Sequence, residues 1–438
     1  MEPGADTTPN WVRNLAALLR KVEVPLVELV ARDDALTLVL ATPGRPLLVV
    51  DAKPGPGDER TYATAGRFAV GYHGARSLGQ EEQRAVDRVV GLLTRLDGRL
   101  PAAWPGAFVV GDAGDVPAEA LRRRFPFVTV ETVDTPEGPA SEVLVRTTPR
   151  CNQACPFCSG PPHVEPSGAA LAALLHAVGR RVPGALVTLT GGEPTLRADF
   201  ADLLRAALAE PGIAELQVQT NAVGFARPGA ATAVPSEPRL RFFVSLHAVD
   251  EGLYDALTGS HGQLPRALEG IRALLGAGHA VTLNTLAAAS NLAHLEGWVG
   301  ALPGLLEGLP LPRLHFSVLI CPEYNPEAAE HLAPYPALVE ALTRASATAR
   351  SLGFPVDPLA ASTHAVIPLC LLPADQRAEA RRRLVVQPGQ TGYDDPRTPW
   401  TRGPQCRACA ARESCLGVPA AYARRFGLAE LRPLAEGA

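Results

Sequence analysis

Apolar residues recur at helical spacing in "WVRNLAALLRKV", at Trp11, Leu15, Leu18, Leu19 and Val22. This predicts an amphipathic helix close to the N-terminus. Two strand-like runs follow, "LTLVLAT" and "RPLLVVDA", and "DAKPGPGDER" (51–60) reads as a turn-rich loop. A second helix is predicted over "LGQEEQRAVDRVVGLLTRL", and "AFVVGDA" and "PFVTVETV" read as further strands. Residues 1–140 therefore form an expected α+β unit of their own. It contains no catalytic constellation.

From residue 141 the pattern changes to strand–helix alternation. "SEVLVRTT", "ALVTLT", "ELQVQTN", "LRFFVSLHA", "AVTLNTLA" and "RLHFSVLI" are the strand-like runs. Helices are predicted near 167–181, 198–209, 264–277, 291–301 and 336–352. Six such units imply an α/β fold with a parallel sheet and right-handed crossovers. They are fewer than the eight of a closed barrel, so a curved, partly open sheet is expected over 141–360. Function in parallel α/β folds gathers at the C-terminal ends of the strands. A cysteine-rich loop, "GGEP", "TN" and "SLHA" all fall at such ends. Residues 361–438 are irregular and Pro-rich and carry four cysteines.

The chain has 438 residues, 47% hydrophobic and 20% charged, with a formal net charge of −4. The only lysines are Lys21 and Lys53, and no basic block is present, so wholesale binding along a nucleic-acid backbone is not favoured. The N-terminus lacks the basic and apolar regions of a secretory signal. No run of about 18 apolar residues marks a membrane span. A cytoplasmic location is the expectation. Thiols stay reduced there, so clustered cysteines bind metal or do chemistry rather than form disulfides.

The first cluster is "PRCNQACPFCSGPP", with Cys151, Cys155 and Cys158 in eight positions. As plain buried thiols, three so close together in a loop of prolines and glycines are hard to explain. A structural zinc site needs four ligands, and His163 could supply the fourth. Alternatively, three thiolates hold a four-iron, four-sulfur cluster whose remaining iron is open to a small molecule.

The C-x3-C-x2-C loop with Phe157 before its last cysteine, followed one β-α unit later by "LTGGEPTL", resembles the radical S-adenosylmethionine (SAM) superfamily. The resemblance runs over about 141–355 as strand-end motifs. It implies a partial (β/α)6 barrel, with Cys151, Cys155 and Cys158 holding a 4Fe-4S cluster whose open iron chelates SAM. It further implies that Phe157 lies by the adenine and that Gly191, Gly192, Glu193 and Pro194 receive the methionyl ammonium. Asn221, Ser245, His247 and Asn284 end strands where the family often places polar SAM contacts. Asn221, Ser245 and Asn284 could equally be helix caps, and His247 a hydrogen-bonded structural residue. Tyr254 and Asp255 read as structural. The implied chemistry is reductive cleavage of SAM to a 5′-deoxyadenosyl radical that abstracts hydrogen from a substrate.

A second set, Cys406, Cys409 and Cys415 in "CRACAARESC" with Cys370 upstream, suits a zinc ribbon or an iron–sulfur cluster by spacing alone. It resembles the auxiliary-cluster ends of radical SAM enzymes of the SPASM or twitch kind, which implies a second 4Fe-4S cluster held by all four. Cys321 ends the sixth strand and reads as a buried thiol, with a substrate contact as the alternative. The expected substrate is a ribosomally made peptide, held in part by the N-terminal unit. The expected reductant is a flavodoxin or ferredoxin. A small metabolite, sugar or nucleoside is the alternative substrate. A non-catalytic iron–sulfur or zinc protein is the alternative of another class.

Overall fold

A computed structural model describes residues 9–32, 34–40, 48–57, 61–73, 78–104, 107–111, 128–135, 138–160, 163–182, 184–319, 321–322, 324–359, 367–374, 376–377, 400–412, 415 and 417–435. The chain divides into two compact units, Met1–Thr129 with Val164–Pro183, and Val130–His163 with Gly184–Ala438.

In the first unit, strands β1 (Leu26–Arg32), β2 (Ala35–Leu40), β3 (Leu48–Pro54), β4 (Ala63–Ala65), β5 (Phe68–His73) and β6 (Ala107–Gly111) form one sheet in the order β4-β5-β3-β2-β1-β6. Neighbouring strands run antiparallel, with Leu36, Leu38 and Leu40 opposite Ala52, Val50 and Leu48. That face joins one core with Leu15 and Leu19 of the helix Asn10–Lys21 and Val86, Val89 and Leu93 of the helix Gln80–Leu96. The period of two in the strands and of 3.6 in the helices is what brings these residues together. Thr37 and Asp51, directly opposite one another, belong to the other face. Asp51 is buried, and its carboxylate accepts from Thr37 Oγ1 (2.7 Å) and Ser167 Oγ (2.8 Å). Ser167 also caps the helix Gly168–Arg181 by accepting from the Ala170 N–H. That helix, expected as the first crossover of the parallel sheet, groups with the first unit.

The second sheet contains β7 (Val128–Thr135), β8 (Gly138–Thr148), β9 (Ala185–Gly191), β10 (Ile213–Thr220), β11 (Leu240–Ser245), β12 (Ala280–Ala287) and β13 (Arg313–Val318). Its order is β13-β12-β11-β10-β9-β8-β7, and β8 to β13 are parallel throughout. The fold is α/β with six parallel strands. β7, which the pattern assigned to the N-terminal unit, instead extends this sheet beside β8. Alternation sorts the side chains: Leu240, Phe242 and Val244 of β11 are buried, whereas Arg241, Phe243 and Ser245 point to the other face. The register carries that second face across as Ser245, Asn284 and His315. The helix Glu251–Thr258 was not anticipated. It has eight residues, capped by Asp250 at Leu253 N (2.8 Å) and stopped by Gly259 at φ +58°. A two-stranded pairing, β14 (Trp400–Thr401) with β15 (Val418–Pro419), lies near the C-terminus.

Candidate functional site

Cys151, Cys155 and Cys158 lie in the loop that leaves β8, and other segments hold that loop from several sides. The Asn152 side chain accepts from Asn221 Nδ2 (2.7 Å), and the Asn152 carbonyl accepts from Gln263 Nε2 (2.9 Å). Gln153 donates to the Tyr254 hydroxyl (2.9 Å), and Ala154 N–H to the Thr258 carbonyl (2.8 Å). Beyond β13, Asn325 Nδ2 reaches back to two carbonyls of the loop, Pro156 (2.9 Å) and Cys158 (3.0 Å), and Tyr324 donates to that of Ser159. Burial pushes the Cys155 thiol up to about 12, with Cys158 and Cys151 adding to the rise. Burial raises Cys151 as well, Glu193 and Cys158 contributing. Ionising neighbouring thiols in this position is therefore costly, a cost that a cationic centre would offset.

The "GGEP" segment packs directly on this loop. Gly192 N–H donates to the Thr148 carbonyl (2.6 Å) and Glu193 N–H to that of Arg150 (2.8 Å). A Cβ on Gly192 would lie 2.1 Å from the Arg150 carbonyl oxygen, and one on Gly191, at φ +126°, 2.6 Å from that of Thr148. Part of the need for glycine is therefore the chain's own backbone. Glu193 is fully enclosed. Its Oε1 accepts from Thr195 N (3.1 Å), Thr195 Oγ1 (2.7 Å) and Thr220 Oγ1 (2.8 Å), and its Oε2 from Asn221 N (2.8 Å). Burial raises its carboxyl, and these donors oppose the rise. Oε2 retains the larger free accepting capacity. Pro194 opens the short turn that follows.

Phe157 is buried between two imidazoles, edge-on to His247 (centroids 5.5 Å) and to His331 (5.8 Å). His247 Nδ1 accepts from Leu286 N–H (3.1 Å), which leaves the ring proton on Nε2. Burial lowers its basicity to about 4. Asn284 Oδ1 accepts from Ser317 Oγ (2.7 Å) and neighbours Ser245 in register. The Asn221 side chain is engaged by Asn152 and by Val223 N–H (3.1 Å). Asn152, Gln153, Thr220, Gln263, Tyr324 and Asn325 were not singled out from sequence. Thr220, Gln263, Tyr324 and Asn325 sit far from the cysteines along the chain and carry no motif, and Asn152 and Gln153 lie between Cys151 and Cys155 without being part of the cysteine spacing.

The second cysteine set also converges. Cys370, Cys406, Cys409 and Cys415 line one small pocket. Gly417 N–H donates to Cys415 Sγ (3.4 Å) and Leu434 N–H to Cys409 Sγ (3.4 Å). Burial raises Cys370 and Cys415, and backbone N–H groups of Arg432 and Gly417 respectively oppose this. Cys321 is buried, does not line the cavity, and is pushed by burial up to about 11 against the influence of Arg424 and Arg425. Among the described residues, no three His, Cys, Asp or Glu side chains converge closely enough to hold a single ion. No helix among them is long and apolar enough to cross a membrane.

Residues 145–288 match the Radical SAM superfamily. This segment is a radical SAM domain. It spans β8 to β12, the cysteine loop and the "GGEP" turn. A GTP 3′,8-cyclase of Pelotomaculum thermopropionicum is 33% identical over 162 residues, 35% of this chain and 48% of that protein. A probable GTP 3′,8-cyclase of Methanopyrus kandleri is 32% identical over 193 residues, 43% of this chain and 60% of that protein. The chain thus spans about half the length of the curated relatives it matches. Among solved structures, Streptococcus suis SuiB bound to S-adenosylmethionine aligns with TM-score 0.47 at 13% identity, covering 82% of this chain and 83% of that one.

Proposed function

We propose that this chain is a radical SAM enzyme that cleaves SAM reductively at a 4Fe-4S cluster held by Cys151, Cys155 and Cys158. The observation that carries the reading is the meeting of the three-cysteine loop and the "GGEP" turn at the C-terminal ends of β8 and β9, within the radical SAM domain. The donor set fits the group: three soft thiols in one loop, with Cys155 raised by Cys158 and Cys151, suit an iron–sulfur cluster. A cluster held by these three cysteines would supply the single electron needed for reductive cleavage of the SAM sulfonium bond, with methionine and a 5′-deoxyadenosyl radical as the products.

The protein's own residues do the holding. Asn325, Tyr324, Asn221 and Gln263 fix the loop. Glu193 Oε2 is the acceptor for an ammonium, and the Nε2–H of neutral His247 is a donor beside Phe157. Ser245 and Asn284 supply further polar groups on the same sheet face. In this reading the four cysteines that line the second pocket take an auxiliary 4Fe-4S cluster, a group that four soft thiolates suit.

The substrate of this reading is a peptide, the reductant a flavodoxin or ferredoxin, and the location the cytoplasm. Support for the peptide comes from the first unit. Among the described residues its sheet ends on β6, and a sheet edge is where an extended peptide adds by main-chain hydrogen bonds. A second reading, a nucleotide substrate, is supported by the names of the sequence relatives. The test is 5′-deoxyadenosine formation by anaerobically reconstituted protein with SAM and dithionite. Product is expected from the wild type and none from Cys155→Ala. Its absence from iron-loaded wild type, with peptide encoded beside the gene or with GTP, would refute the reading. Stimulation by one of the two decides between the substrates.

A further inference from the structure

One row of polar side chains crosses the second sheet at a single level. Ser245, Asn284 and His315 are register partners on β11, β12 and β13, and the parallel bridge between Leu314 and Val356 sets Asp357 beside His315. Ser245 is the last residue of β11, so the row lies toward the end of the sheet that carries the cysteine loop. Phe243, Ser245 and Ser317 on the same face are half-buried, so solvent reaches this face. His315 and Asn284 are each only 7% exposed.

Asp357 fixes the imidazole. Its Oδ2 meets His315 Nδ1 at 2.9 Å, and Arg313 donates to its Oδ1 at 3.2 Å. Burial would raise the Asp357 carboxyl, but His315 and Arg313 outweigh it and hold the group below the usual carboxylate range. An ionised carboxylate can only accept, so Nδ1 carries the proton and Nε2 of the neutral ring keeps a lone pair. The ring stands edge-on to Phe243, two strands away (centroids 5.2 Å), so it leans across the face. Among the described residues, no group hydrogen-bonds Nε2. Asn284 is fixed in the complementary sense. Ser317 Oγ donates to its Oδ1 (2.7 Å), and its Nδ2 has no partner among the described residues.

We propose that His315 Nε2 and Asn284 Nδ2 are the acceptor and the donor that read an amide group of the substrate, with Asp357 as the positioning residue. This rests on the radical SAM reading of the barrel and deepens its substrate side. A buried donor beside a buried acceptor matches a neutral group that offers an acceptor beside a donor, which is the pattern of an amide. A carboxylate or phosphate, with acceptors alone, would set an oxygen against the Nε2 lone pair. An ammonium, with donors alone, would leave Nδ2 unmatched. Both losses are costly in a buried site. Peptides carry amides in the backbone and in Asn and Gln side chains, and guanine carries one in its ring.

The test is chemical modification of the full-length reconstituted protein in neutral buffer. Diethylpyrocarbonate carbethoxylates an imidazole nitrogen that has a free lone pair, and mass spectrometry of the digest locates each modified histidine. His247 is the internal control, because it is as buried (8% exposed) but Leu286 N–H takes its lone pair. His315 is expected to react while His247 stays unmodified. With SAM present, the peptide encoded beside the gene or GTP should protect His315, and which of them protects identifies the source of the amide. The dissociation constant of the protecting compound should rise about tenfold in His315→Phe, the loss of one hydrogen bond. His315→Gln, whose carboxamide oxygen can accept, should keep most of the affinity. A His315 as inert as His247, a His315 that neither compound protects, or an unchanged dissociation constant in His315→Phe overturns the inference. Absence of 5′-deoxyadenosine from the wild type overturns instead the radical SAM reading, and the carbethoxylation result stands apart from it.

Discussion

Removing the amide of Asn325 isolates the contribution of a clamp that no sequence motif marks. Its Nδ2 spans the Pro156 and Cys158 carbonyls at 2.9 and 3.0 Å, joining the segment after β13 to the cysteine loop. Each such bond contributes about 1 kcal/mol net, and both together about 2 kcal/mol. At about 1.4 kcal/mol per factor of ten, the open form of the loop gains about 30-fold in Asn325→Ala. Asn325→Asp goes further, because a carboxylate would face two carbonyl oxygens with no proton to share. Iron release under a chelator in oxygen-free buffer, followed by loss of cluster absorbance, measures loop opening directly. The expected result is release about 30-fold faster in Asn325→Ala and faster still in Asn325→Asp. Release unchanged within a factor of two in both variants would refute the clamp.

Gly192→Ala places a methyl group 2.1 Å from the Arg150 carbonyl oxygen, so the "GGEP" turn must back away by about 1 Å. A fall of about 100-fold in the 5′-deoxyadenosine rate is expected with iron content measured alongside, and a native rate would contradict the packing argument. His247 is neutral in the fold because burial lowers its pKa to about 4, below the unfolded value of about 6.5. The unfolded chain then binds more protons as pH falls from about 6.5 to 4, so stability is lost over that window. The loss reaches about 1.4 kcal/mol at pH 5.5. Urea unfolding at pH 8 and pH 5.5 should show this drop in wild type and a smaller one in His247→Gln. Equal drops would assign the pH dependence to other groups.

The sequence by itself determined the elements that repeat with a clear period and the chemistry that clusters along the chain. Strand runs such as "AVTLNTLA" became β12 at the expected residues, because alternation along a strand is a local property. The cysteine spacings and "GGEP" were legible for the same reason: three cysteines in eight residues are close in any fold. What only the tertiary structure decided was which distant residues serve those motifs. β7 joined the parallel sheet and the helix Gly168–Arg181 grouped with the first unit, because strand pairing and helix burial depend on surfaces supplied from elsewhere. Asn325 meets the loop across 167 to 169 positions of sequence, and Cys370 meets Cys406, Cys409 and Cys415 around one cavity. Gly191 and Gly192 read as room for a ligand, and the fold fills part of that room with the chain's own carbonyls. A periodic pattern records which face of an element is apolar, and long-range packing alone determines what that face meets.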